Sequence, residues 1–294
     1  HVPSKDNSDI MIRYGDIVSV DAIRRIRNNS HIYVGRYDSI NNILNARKVS
    51  DTNKKVWAND NTQVVLSTED DVFMKLPKFW WKSIKCKNDI YRLKFNDSEE
   101  DVDETWNEWE GDTFIGVYKG YISDGKLYSQ PGVTPTVNES WTTFTAAARA
   151  RYNNNNYRCV TYEAHQMIAL LGYGWLGTTD AQSIIGRGIS TYPKTTGLCD
   201  AKGMNDSSVN VDGNSTSINF WGLENWWGDI YEWIDNIKTA GNSNVNILGD
   251  DRNTVLRTVI TGLQGNNGEI KKMVLGDNAD LIPKLIVSNS SYDR

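Results

Sequence analysis

Apolar residues recur with a helical spacing in the middle of the chain. Ala164, Met167, Ile168 and Leu171 fall at i, i+3, i+4 and i+7, which lays one apolar stripe along a helix. Thr161 supplies an N-cap oxygen, Glu163 puts a negative charge in the first turn, and Gly172 is the expected stop. A second helix is expected from a cap at Thr142 or Thr143 through Arg151. There Ala146–Ala148 favours helix and the asparagine run after Tyr152 ends it. Nearer the start, Ile17–Val20 and His31–Tyr37 are β-branched and aromatic runs of the kind that form strands. Between them Asp21–Arg27 reads as a brief basic helix.

These patterns divide the chain into a β-rich attachment or oligomerisation module, residues 1–70, and an α+β unit, residues 71–294. Within the second unit, residues ~110–285 are expected to share a core containing Trp141, Leu170, Trp221, Trp226 and Trp233. Long Gly/Asn/Ser-rich loops such as Thr195–Ser217 have no periodicity, and tryptophans are expected to pin them to a small sheet.

Composition narrows the functional classes. The chain has 294 residues, net charge −5 and 39% hydrophobic residues, so it can build a core and has no general attraction for nucleic-acid backbones. Nucleic acid is therefore not an expected partner. Eleven Trp and fourteen Tyr stand against six Phe, a set that suits contact surfaces and turn-rich folds. No run approaches the ~18 apolar residues that span a bilayer, so membrane insertion is not expected.

Candidate chemistry is sparse. Cys86, Cys159 and Cys199 form neither a redox pair nor a zinc-ligand cluster; they read as buried or free thiols, with a Cys159–Cys199 bridge the alternative. His1, His31 and His165 make no ligand pair, and no nucleophile elbow is present. No cofactor, no metal and no catalytic residue is expected. Gly172-Tyr-Gly-Trp-Leu-Gly177 satisfies G-x-G-x-x-G in letters, but a helix precedes it where a dinucleotide site needs a strand. These glycines read as helix terminators that let backbone pass close to Trp175. Arg24, Arg25 and Arg27 read as a solvated face or subunit contact in preference to a polyanion site.

From Lys75 to Lys94 lie seven basic residues and one acidic residue; from Asp97 to Asp112 lie nine acidic residues and no basic one. This opposition fits a clamp between segments, a calcium site, or a solvated excursion from which Trp106 and Trp109 reach back to the core. Trp221, Trp226, Trp227 and Trp233 form the densest aromatic cluster, able to stack on sugar faces or to fill a core. Glu232 reads as an acceptor for buried backbone donors.

The ordered set VFMKLPKFWWK (Val72–Lys82), FIGVYKGYISDGKL (Phe114–Leu127), FTAAARARY (Phe144–Tyr152), TYEAHQMIALLGYG (Thr161–Gly174), TTDAQSIIGRGI (Thr178–Ile189) and FWGLENWWGDIYEWIDN (Phe220–Asn236) carries a resemblance. It resembles the C-type-lectin-fold proteins of tailed bacteriophages and prophages, including the variable proteins of diversity-generating retroelements. The resemblance covers roughly residues 72–236. It implies a C-type-lectin-like domain of small sheets, two helices and long pinned loops, and it implies that the aromatic–glycine motif is mainly core. The implied role is a virion protein of a tail fibre or other appendage, extracellular and not an enzyme. Its implied partners are other virion or tail proteins and a host surface glycan or outer-membrane protein.

The alternative is a sulfatase-modifying-factor-like enzyme or glycan-processing protein, since a shorter WG-x-x-YEW motif occurs there too. A homotrimer is expected, with residues 1–70 contributing to its interface. Members of the resembled family continue after a D-L-I-P segment into a glycine-rich, ligand-facing stretch. Here Asp280-Leu-Ile-Pro283 is followed only by Lys284–Arg294, so that stretch is expected to be missing, disordered, cleaved or supplied by another chain. Asn289, Tyr292 and Asp293, of residue types that suit contact surfaces, are the candidate ligand-binding residues at its edge, the other reading being a frayed polar terminus. The alternative contact loops are Asn153–Asn156 and Thr195–Ser217.

Overall fold

Thr161 caps a helix as its position suggests. In the computed structural model its hydroxyl accepts a 3.2 Å hydrogen bond from Ala164 N at the start of Tyr162–Leu176. The structure describes residues 2–3, 17–38, 40, 43–85, 90–111, 113–152, 156–178, 180–190, 193–213, 215–240, 244–249, 251–260, 269–275 and 281–287. The four helices among them are α1 (Ile17–Asn28), α2 (Trp141–Arg149), α3 (Tyr162–Leu176) and the short α4 (Ala181–Ile184).

Three helix expectations are corrected. α3 does not stop at Gly172 but runs to Gly177, whose left-handed φ of 71° closes it. Gly172 is needed for contact: a Cβ there would lie 2.4 Å from Phe220 Cζ. Ser140 caps α2 in place of Thr142 or Thr143, accepting from Thr143 N at 3.1 Å. α1 begins at Ile17, so the β-branched Ile17–Val20 run is helical. Its buried Ala22, Ile23 and Ile26 belong to the same core as α3, and that burial overrides the weak β preference of the run.

The protein is a mixed α/β molecule of mostly small antiparallel sheets and few helices. The largest sheet has five strands in the order Asn53–Trp57, Ile43–Ser50, His31–Asp38, Asp71–Lys75 and Phe114–Gly116. A four-stranded sheet orders Val2–Pro3, Ile90–Asn96, Phe79–Lys85 and Asn107–Trp109. Three-stranded sheets are built from Ser207–Asp212, Ser215–Phe220 and Leu223–Glu224, and from Ile237–Ala240, Asn244–Leu248 and Val255–Ile260. Tyr121–Ser123 pairs with Lys126–Tyr128, and Glu269–Leu275 with Leu281–Val287.

The expected boundary after residue 70 is not a break in packing. His31 pairs with Lys75 and Gly35 with Asp71 in one continuous ladder. Ile26, Ile32 and Val49 share a core with Met74, Leu76, Phe79, Ile168, Leu171 and Trp221. Short strands cannot bury both faces alone, so the first segment completes its core against the second.

Of the five expected core residues, Leu170 and Trp221 are fully enclosed and Trp226 packs against the core from a partly buried position. Trp141 is half-buried, and Trp233 is 47% exposed, which corrects the expectation for that residue. The chain leaves the core after Trp227 through two left-handed residues, Gly228 and Asp229, with φ of 77° and 64°. Gly228 lies so close to Gly188 that a Cβ would meet its Cα at 2.8 Å. The Thr195–Ser217 stretch holds a 3-10 turn at Asp200–Lys202 and the strand Ser207–Asp212. Tryptophan does pin part of it: Asp206 accepts from Trp175 Nε1 at 2.9 Å and from Trp221 N at 2.8 Å.

Candidate functional site

Segment Asp229–Asn236 lends Ile230–Trp233 and Asn236 to the rim of a cleft of about 1040 Å³. It has no regular secondary structure for most of its length, so side-chain bonds hold it in place. Trp141 Nε1 donates to Ile234 O at 2.9 Å, and Trp233 Nε1 donates to Glu139 O at 3.1 Å. Asn236 joins the rim to the start of α3, accepting from Tyr162 N and donating to Glu163 Oε2, each at 2.8 Å. Asp235 is buried and pairs with Arg252 at 2.5 Å.

Exposure alternates along this rim. Tyr231 is 98% exposed and Trp233 47%, whereas Glu232 between them turns inward. Glu232 was expected to satisfy backbone donors; its carboxylate instead meets Lys119 Nζ at 2.8 Å. Glu224 takes the backbone role, accepting from Gly197 N at 2.8 Å and Cys199 N at 2.7 Å. Behind the rim the walls carry Phe73, Phe114, Tyr157 and Trp226. His165 lies against Trp226 with ring centroids 5.0 Å apart. Burial, helped by Lys119, lowers the His165 pKa below its usual 6.5 and outweighs the attraction of Glu232, so the ring is neutral near pH 7.

Two further charged clusters serve as braces. Arg151 and Asp71 are wholly enclosed and 2.6 Å apart, and the guanidinium sits 3.9 Å from the Tyr128 ring centroid. Asp71 also accepts from Ser129 N at 2.6 Å and Tyr157 Oη at 2.5 Å. Burial nevertheless pushes its carboxyl up to about 6, against the pull of Arg151. In the second cluster Lys54 Nζ donates to Asn219 Oδ1 at 2.7 Å, and Tyr118 Oη donates to Asp200 Oδ1 at 2.5 Å. Burial lowers the Lys54 pKa, opposed by Glu224 and Asp200.

The remaining sequence candidates resolve as follows. Asn289, Tyr292 and Asp293 lie outside the described residues, as do Cys86 and Asn153–Asn155, whereas Asn156 lines the cleft. Cys159 and Cys199 are free buried thiols, not a bridge. Desolvation pushes them up to about 12 and about 11, which keeps both protonated. Arg24 pairs with Asp21, and Arg25 makes a two-pronged contact with Asp97. Arg27 turns inward to Asp206 at 2.8 Å and lies 4.8 Å from the Trp221 ring centroid. The basic and acidic runs clamp one another through Lys78–Glu108 and Lys82–Asp103, and Trp109 is buried. Among the described residues no group of acidic, His or Cys side chains is placed to hold a metal, and no helix is long and apolar enough to cross a membrane.

Lys119 is the cleft residue that sequence reasoning missed. Its only signal is a lysine inside the apolar run Phe114–Tyr121. No family model matches the chain, and no curated protein and no solved structure matches it either.

Proposed function

We propose that this chain is a virion protein of a tailed bacteriophage or prophage, carried on a tail tip, fibre or comparable appendage. In this reading it presents a C-type-lectin-like domain to the host surface as a homotrimer. One observation carries the proposal: a large cleft bordered by exposed aromatic rings, one of them fixed in place by the Trp233–Glu139 hydrogen bond. Exposed aromatics held in one orientation give contact area at low entropic cost, as a recognition surface requires. A broad loop-built surface needs no reaction to act, and repeated display on a symmetric particle multiplies weak single-site binding.

The sulfatase-modifying alternative would use a reactive cysteine pair. Burial holds Cys159 and Cys199 in the unreactive thiol form, which favours the binding role. Mass spectrometry of particles purified from a lysate of the source cells tests the proposal. A stoichiometric copy number in the particle is expected, and a chain found only in the cytoplasmic fraction rejects the reading.

A further inference from the structure

We infer that the cleft behind Tyr231 and Trp233 binds a neutral oligosaccharide. The inference deepens the attachment role proposed above and rests on it for its biological setting.

The ligand class follows from what the cleft offers. Tyr231 and Trp233 stand exposed on either side of the inward-turned Glu232. Both rings line the cleft. Trp233 cannot swing freely, because its indole nitrogen is bound to Glu139 O. A pyranose ring has one face of C–H groups, which stacks on an aromatic ring, and an edge of hydroxyls that must keep their hydrogen bonds. The cleft supplies both halves. Lys119 and Glu232 both line it and form a 2.8 Å pair. An ammonium has three donors and a carboxylate about four acceptor sites, so one mutual contact leaves capacity for ligand hydroxyls.

Charge selects the kind of sugar. Among the described residues, the charged ones lining the cleft are Lys119, Arg158, Glu163 and Glu232, two of each sign. A balanced set gives no field to draw in a sialylated or uronic-acid chain, and it suits a neutral one. The volume of about 1040 Å³ sits at the upper end of ordinary ligand sites, which favours several linked sugars over a monosaccharide.

The test is binding of the purified full chain to a printed array of neutral and acidic oligosaccharides, with affinities taken by calorimetry on the best neutral binder. Wild type is expected to retain neutral oligosaccharides. Trp233→Ala should weaken affinity by about tenfold or more, and Tyr231→Ala by roughly threefold to tenfold, in line with loss of one stacking contact. Trp233→Phe should recover part of the loss. Tyr231 is 98% exposed, so its variant reports on binding without disturbing the fold. Retention of no neutral sugar overturns the inference, as does a preference for acidic sugars or an affinity unchanged from wild type in both alanine variants. Failure on the array by a chain still found at stoichiometric copy number in particles removes the saccharide and leaves the attachment role. Absence from particles removes that role and leaves any sugar binding standing.

Discussion

The tryptophan-rich stretch has two halves with opposite fates. In Phe220–Trp227 the aromatic side chains are buried or packed against the core: Trp221 is 0% exposed, and Phe220 presses on Gly172 of α3. In Asp229–Asn236, immediately after, Tyr231 and Trp233 face solvent while Glu232 and Asp235 turn inward to a cation. The first half buries its rings, with Glu224 among them, whereas the second exposes its rings and turns its charges inward. The comparison teaches that aromatic density does not separate a core from a contact surface; the partners waiting inside do. Trp221 lies under Arg27 within the shared core, whereas the inner positions behind the second half are taken by Lys119 and Arg252.

Removing a ring from each half breaks or sharpens this contrast. The largest effect is expected for Trp221→Ala, a loss of about 3–5 kcal/mol for a large enclosed side chain. Urea denaturation measures it, and a loss below about 1 kcal/mol would erase the distinction between the halves.

Gly172→Ala probes the first half from the other side of its contact. The added methyl would meet Phe220 at 2.4 Å, so a cost of about 1–3 kcal/mol is expected from overpacking. Pairing it with Phe220→Leu should return part of that loss, whereas additive losses would mean that the two positions do not press on one another.

Trp233→Ala, in the second half, should cost only about 1–2 kcal/mol: the ring is half exposed and gives up one hydrogen bond. A loss equal to that of Trp221→Ala would place Trp233 functionally in the core.

The smallest effect is a pH dependence from buried titratable groups. His165 has its folded pKa lowered below the unfolded value of 6.5, so the unfolded chain binds the proton more readily. Its contribution to stability is present above pH 6.5 and is lost as the pH falls below that value. Asp71, raised to about 6, works in the opposite sense: its contribution is present at acid pH and is lost as the pH rises through 6. The difference between wild type and His165→Gln isolates the histidine. Melting temperatures from pH 7.5 to 5 should converge as the pH falls, and a constant gap would rule out its titration as the cause.

How much of this was legible beforehand varies by element. The cap at Thr161, the apolar stripe of α3, the strand His31–Asp38 and the enclosure of Trp221 could all be read from the chain. The candidate site was hardly legible. Glu232 and Trp233 were visible as residues, but their orientation, and the part played by Lys119, were not. The oligosaccharide reading arose only once exposed rings and a balanced charge set lay around one cleft.

The sequence by itself determined what depends on near neighbours. Helix caps, apolar stripes and alternating strands act over a few residues, so their rules can be applied to the chain directly. Tertiary structure alone decided that Gly172 sits inside a helix, that residues 31–35 pair with 71–75, and that Trp233 stays outside. It also decided that Arg151 finds Asp71, a partner 80 positions away. A buried charge or a ring at van der Waals contact is stabilised by whatever the fold brings opposite it, and that partner has no fixed place in the sequence.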